Sequence, residues 1–208
     1  ELIKEKREGL LESIQEKRDL FKEEFEARKD EVQAKREEAR AKFQESLKKI
    51  KDEAKRAKVE SIATTIPELN ITLTTRASER VTQIETVLVA IESRADKAAT
   101  AGIDVSGVRA LIASAETTIA SARAAIVVQL GKTYAVTIAS DTTAKGTLEA
   151  TRNAFRSDIK IMNTAVKAAH DATRKAAEAL KAIPKIDDVV VPNPVVPTTS
   201  PETPSTNQ

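Results

Sequence analysis

Apolar residues recur every eleven positions through the first third of the chain. Leu10, Phe21, Val32, Phe43 and Ala54 form one ladder, and Ile3, Ile14, Phe25, Arg36 and Leu47 form a second on the same spacing. Eleven residues close almost three α-helical turns, so both ladders stay on one narrow face of a straight helix. The pattern predicts a charged helical rod over residues 1–65. Its other faces place Glu24 before Arg28, Glu31 before Lys35, Glu38 before Lys42, Glu45 before Lys49 and Asp52 before Arg56. Each pair has the favourable i,i+4 order, which supports a helix with little burial. A basic stripe of Arg7, Arg18, Lys29, Arg40 and Lys51 runs beside acidic Glu8, Asp19, Asp30 and Asp52 and reads as a solvated, self-neutralising face.

The spacing changes near Ile66-Pro67-Glu68. Proline is tolerated at the first position of a helix and disruptive inside one, so a kink or short break is expected here, with Thr64 or Thr65 capping a fresh helix. That helix runs to about Ala101 on heptads, with Ala77, Ile84, Ile91 and Ala98 on one register and Val81, Leu88 and Ala95 on the other. Gly102 supplies a left-handed stop, Ile103 the accompanying apolar contact, and Asp104 or Ser106 a cap for the next helix. The third helix, to about Leu130, carries Ile112, Ile119 and Ile126 with Val108, Ala115 and Ala122. The last, from about Asp141 to Ile183, carries Leu148, Phe155, Met162, Ala169, Ala176 and Ile183 with Ile159, Val166, Thr173 and Leu180.

These patterns predict an all-α fold: a long charged N-terminal helix, an antiparallel three-helix bundle over residues 66–183 and a flexible Pro/Thr/Val-rich tail over residues 184–208. Between the last two helices, Thr133 to Ile138 alternates like a strand. A single strand cannot satisfy its own backbone, so an extended crossover is expected there.

Composition narrows the function classes. Aromatics are only 2% of the 208 residues and charged residues 32%, the profile of long helices with thin seams rather than of an enzyme with a deep pocket. Thirty-four basic residues stand against 32 acidic ones, which gives no single-sign field for nucleic acid. Cysteine is absent, removing disulfides and thiolate chemistry. No apolar run approaches the roughly 20 residues of a membrane span. The chain opens at Glu1, from which removal of an N-terminal signal is expected.

Candidate chemistry is thin. Gly131-Lys132-Thr133 matches the end of a phosphate-binding loop, but the glycine required five residues before Gly131 is Ile126, so Gly131 reads as a helix stop. His170 is the only histidine, flanked at helical spacing by Val166 and Arg174, and lacks a second metal ligand. Lys48, Lys49, Lys51, Lys55, Arg56 and Lys58 form a local basic excess without interleaved aromatics to stack bases. No catalytic, cofactor or metal residue is assigned. Eleven-residue repeats also mark lipid-surface helices, but here the apolar face is narrow and interrupted by Arg36, which favours another helix over a membrane surface. The expected partner-binding line is Ile3, Leu10, Ile14, Phe21, Phe25, Val32 and Phe43. Its partner would be a second copy or another helical protein.

From about residue 70 to 183 the chain resembles uncharacterised, secreted all-helical proteins of candidate-phyla (ultra-small) bacteria. Ser93-Arg94-Ala95-Asp96-Lys97-Ala98, Gly102-Ile103-Asp104-Val105-Ser106 and Lys132-Thr133-Tyr134 carry the resemblance. It implies export and a cell-envelope or extracellular setting. The N-terminal helix is similar in texture to the tentacles of Skp-type periplasmic chaperones and to the b-subunit stalk of ATP synthases. The expected function is a non-enzymatic structural, spacer or adhesive protein of the cell exterior. The alternative is a holdase-like chaperone that clamps unfolded clients along Ile14, Phe21, Phe25 and Phe43.

Overall fold

The computed structural model describes the backbone of residues 2–183 and, apart from Leu10 and Leu11, the side chains from residue 9 onward. The Pro/Thr/Val-rich segment 184–208 lies outside the described residues. Four helices follow in order: α1 (Leu2–Leu47), α2 (Glu53–Thr100), α3 (Ser106–Leu130) and α4 (Ala144–Lys181). The all-α expectation holds. α2, α3 and α4 pack together as the heptads require, and α1 lies along α2 and α3.

The expected boundary near residue 65 is corrected. α2 runs unbroken through Pro67. Thr64 and Thr65 cap nothing; their hydroxyls donate back to the carbonyls of Glu60 and Ser61 in the same helix, at 2.7–3.0 Å. Buried Ile66 and Asn70 on either side of the proline pin both turns to the core, which offsets the one backbone bond Pro67 cannot make. The chain instead turns at residues 48–52, where the rod was expected to continue. Lys49 and Ile50 donate their amides to the carbonyls of Ser46 and Leu47. Ile50 is 1% exposed, and the Asp52 carboxylate caps α2 by accepting from the Lys55 amide at 2.9 Å. Lys55 then reaches Asp141 just ahead of α4, its ammonium 2.9 Å from the carboxylate and 2.6 Å from the backbone carbonyl.

The turn folds the rod back as a hairpin. Gln44 faces Glu60 and Arg18 faces Glu85, so α1 and α2 run antiparallel side by side. At 1.5 Å per residue, helices of 46 and 48 residues are each about 70 Å long. Of the charge pairs expected along the rod, Glu31–Lys35 and Glu38–Lys42 form; Glu45 pairs with Lys48 and Arg56 with Glu53, both at i,i+3.

The α2–α3 junction matches the sequence pattern. Gly102 sits at φ 80°, its amide bonds to the Ala99 carbonyl, and the Ile103 amide bonds to the Ala98 carbonyl, the double closure that a left-handed glycine permits. Asp104 accepts from the Ser106 amide at 2.9 Å, and this backbone bond holds its carboxyl below the ordinary value.

Two cores result. The larger gathers the heptad residues of α2, α3 and α4 and takes Phe21 and Phe25 from α1. The smaller surrounds the turn with Phe43, Leu47, Ile50, Val59, Ala144 and Leu148. Residues 132–140 cross between α3 and α4 without helix or ladder, and the alternation is real: Val136 and Ile138 are buried in the smaller core while Thr137 faces solvent. The expectation that no segment could span a membrane needs one correction, because α3 is long and apolar enough by length and composition. In the fold it runs against α2 and α4, and its heptad line from Val108 to Leu130 is buried.

Candidate functional site

The features with most chemistry lie where α1 meets the bundle. Phe21 and Phe25, one turn apart, stand with ring centroids 6.2 Å apart and tilted by 48°. The Arg123 guanidinium of α3 lies over the Phe21 ring, 5.0 Å from its centroid. Glu85 of α2, only 7% exposed, receives Arg123 on one carboxylate oxygen at 2.5 Å and Arg18 of α1 on the other at 3.3 Å. Arg18 also donates to the Thr86 hydroxyl at 2.8 Å, and Arg123 to the Lys17 carbonyl at 3.0 Å. One carboxylate thus ties three helices together. Breaking so desolvated a cluster from one side costs more than losing a surface pair along the rod, because a charge is left buried and unpaired. A little further on, the Arg28 side chain crosses the end of α3 at Gly131. A Cβ there would come within 2.5 Å of the guanidinium, so a larger residue at this helix end would require Arg28 to swing aside.

A second polar network closes the crossover. Gln129 donates to the Asn70 side-chain oxygen at 2.8 Å and to the Tyr134 hydroxyl at 2.7 Å, and Tyr134 donates to Asp158 at 2.8 Å. Asn70 in turn donates to the Gln129 carbonyl at 3.0 Å. Tyr134 takes φ 43°, uncommon for a bulky side chain, and its ring meets Phe155 edge-on at 5.2 Å. Burial pushes the Tyr134 phenol well above its ordinary value, against the Gln129 bond and with the Asp158 charge. Burial also pushes Asp158 upward, but its bonds from Lys132 and Tyr134 outweigh that and hold the carboxyl below its ordinary value. The phenol therefore stays protonated and donating. Lys132, the residue a phosphate loop would use, is spent on Asp158 at 2.6 Å.

Two open grooves flank these networks. One of about 450 Å³ lies among Arg36, Arg40, Phe43, Pro67, Glu68 and Tyr134. The other, of about 570 Å³, lies between α2 and α4 and is lined by Ile84, Val87 and Val166 with Arg80, His170 and Arg174 near them. His170 is exposed, its ring 3.5 Å from Asp171. Among the described residues no group of three or more His, Cys, Asp or Glu is placed to hold a metal ion.

The structure places the expected partner line mostly inside the molecule. Phe21, Phe25, Val32 and Phe43 are buried and Ile14 is half-buried, while the side chains of Ile3 and Leu10 lie outside the described ones. The expectation that this line needs a partner is corrected to this extent: from Phe21 to Phe43 it is covered by the chain's own α2, α3 and crossover. A client reaching Phe21 or Phe25 would have to displace α1. Arg18, Glu85 and Arg123 carry the junction without having been singled out in the sequence, where Arg18 was one member of a solvated stripe. A signal was present. Glu85 and Arg123 each follow a seam residue, Ile84 and Ala122, in the flanking position where interhelical charges pair.

No family model, curated protein or solved structure matches the chain.

Proposed function

We propose that the chain is a non-enzymatic structural, spacer or adhesive protein of the cell envelope or exterior that associates with other protein through its long helix. The observation that supports the structural and spacer part of this reading is the lengthwise lock of α1 on the bundle; association through the same helix rests on its periodic apolar line in the sequence. Two helices of about 70 Å lie antiparallel and are bolted by Glu85 to a third. That construction gives reach and stiffness. Its polar groups serve the same end: Asn70, Gln129, Tyr134 and Asp158 bind one another and fix helix against crossover. The extracytoplasmic setting comes from the sequence resemblance alone.

Surface biotinylation of intact source cells, followed by fractionation, tests the setting. The protein should be labelled from outside and recovered with the envelope or the medium; recovery only from the cytosolic fraction would sink the reading.

A further inference from the structure

The turn between α1 and α2 lacks the residues that normally make one. Lys48-Lys49-Ile50-Lys51-Asp52 contains neither glycine nor proline, and the eleven-residue ladder continues across it from Phe43 to Ala54. Apart from Asp52, whose side chain caps α2, local sequence therefore favours helix through the turn. What opposes helix is tertiary or capping: Ile50 buried in the smaller core, the Asp52 cap, and Lys55 on Asp141. In such a segment, where local preference and tertiary setting disagree, a straight helix competes with the turn.

We propose that residues 48–52 are a hinge, and that a second copy of this chain exchanges α1 with the first, each α1 seating in the other copy's α2/α3 groove. The proposal rests on the reading that the chain associates through its long helix, and it names the partner. The fit is self-complementary, because a second copy presents the same Glu85, Arg123 and apolar line to the incoming Arg18, Phe21 and Phe25. The register agrees. Arg18 opposite Glu85 and Gln44 opposite Glu60 are antiparallel pairs whose midpoint falls at the hinge. Straightening the hinge thus turns each hairpin contact into the same contact between copies across a two-fold axis there. α1 and α2 then form one helix from Leu2 to Thr100, about 150 Å long. The straightened helix regains the i,i+4 pairs Glu45–Lys49 and Asp52–Arg56, which the hairpin replaces by i,i+3 pairs. Since the α1 seam is the same in both forms, the balance between them rests on the hinge and on protein concentration. Exchange is slow because α1 must first undock.

The absence of cysteine makes the test direct. Gln44, exposed, and Glu60, half-buried and in contact with it at 2.9 Å, are replaced as Gln44→Cys and Glu60→Cys, and monomer and dimer fractions separated by size are treated with a short bismaleimide. The monomer fraction should cross-link within one chain, and the dimer fraction should give covalent dimers on a denaturing gel. Asp52→Ala removes the cap that favours the turn and should raise the dimer association constant by roughly tenfold or more. Lys51→Pro, which disfavours helix through the hinge and fits the non-helical turn, should weaken the dimer by roughly tenfold or more and leave the monomer folded. A dimer that cross-links only within chains, or whose association Lys51→Pro leaves unchanged, overturns the exchange while leaving association through another surface intact. A chain monomeric at every concentration, with Asp52→Ala equally monomeric, overturns both the exchange and self-association.

Discussion

The seams among α2, α3 and α4 are lined by Ala95, Ala98, Ala115, Ala122, Ala169 and Ala176, all fully buried, with Ile, Val and Leu between them at heptad spacing. The seam that holds α1 is made of a few large side chains, Phe21, Phe25, Val32, Phe43 and Leu47, and an ion cluster, set into an otherwise charged helix. Small residues let helices approach along their whole length, so the attraction is spread over many weak contacts. Phe21, Phe25 and Glu85 concentrate it at a few points. The first kind of seam is hard to undo at any single residue. The second depends on a few anchors, so it is the more easily released of the two, which is what an exchangeable helix requires.

The strongest way to break this contrast is to remove the aromatic anchors. Each buried Phe→Ala change costs about 3–5 kcal/mol, so Phe21→Ala with Phe25→Ala should undock α1 in hydrogen-exchange measurements while α2, α3 and α4 keep their protection. Simultaneous loss of protection from all four helices would mean that the two seams act as one cooperative unit.

The ion cluster comes next. Glu85→Ala leaves Arg18 and Arg123 facing each other without a carboxylate, and breaking a buried pair from one side is costly. The two arginine side chains keep 24% and 15% exposure, so the expected loss is about 2–3 kcal/mol in denaturant unfolding. Adding Arg123→Leu should restore part of it. If Glu85→Ala is neutral, the cluster only decorates the seam and the phenylalanines alone hold α1.

The smallest effect sharpens the comparison through pH. Glu92 is pushed above its ordinary value by burial first, then by Glu116 and Asp96 nearby. Its folded form therefore holds a proton more tightly than its unfolded form. This contribution to stability is full below pH 4.5 and is lost as pH rises through the raised value. At pH 7 Glu92→Gln should raise Tm by about 1–2 °C, with no gain at pH 3.5. A gain that is equal at both values would show that the glutamate's charge is not the cause. Asp158, held low by Lys132 and Tyr134, works with the opposite sign and loses its contribution on acidification.

Periodicity alone determined the bundle: the residues at the predicted heptad positions from Ala77 to Leu180 are buried or packed against the core, because a seam residue is defined by where it falls on its own helix. The Gly102 junction was equally legible, since a left-handed residue has a local signature. The alternation of Val136 and Ile138 also survived in the crossover. What tertiary structure decided was how the rod ends and what its apolar line touches. Pro67, the strongest local breaker, lies inside an unbroken helix because its neighbours Ile66 and Asn70 are fixed in the core. The turn came instead at Lys48–Asp52, where the Asp52 cap is the one local signal and neither glycine nor proline marks it, because burying Ile50 and bringing Phe21 and Phe25 onto α2 and α3 outweighs continuing the helix into solvent. A periodic stripe says that a helix has a face to bury. The length of the chain, the shape of the neighbouring groove and the charge of Glu85 decided that the face would be buried on the chain's own bundle.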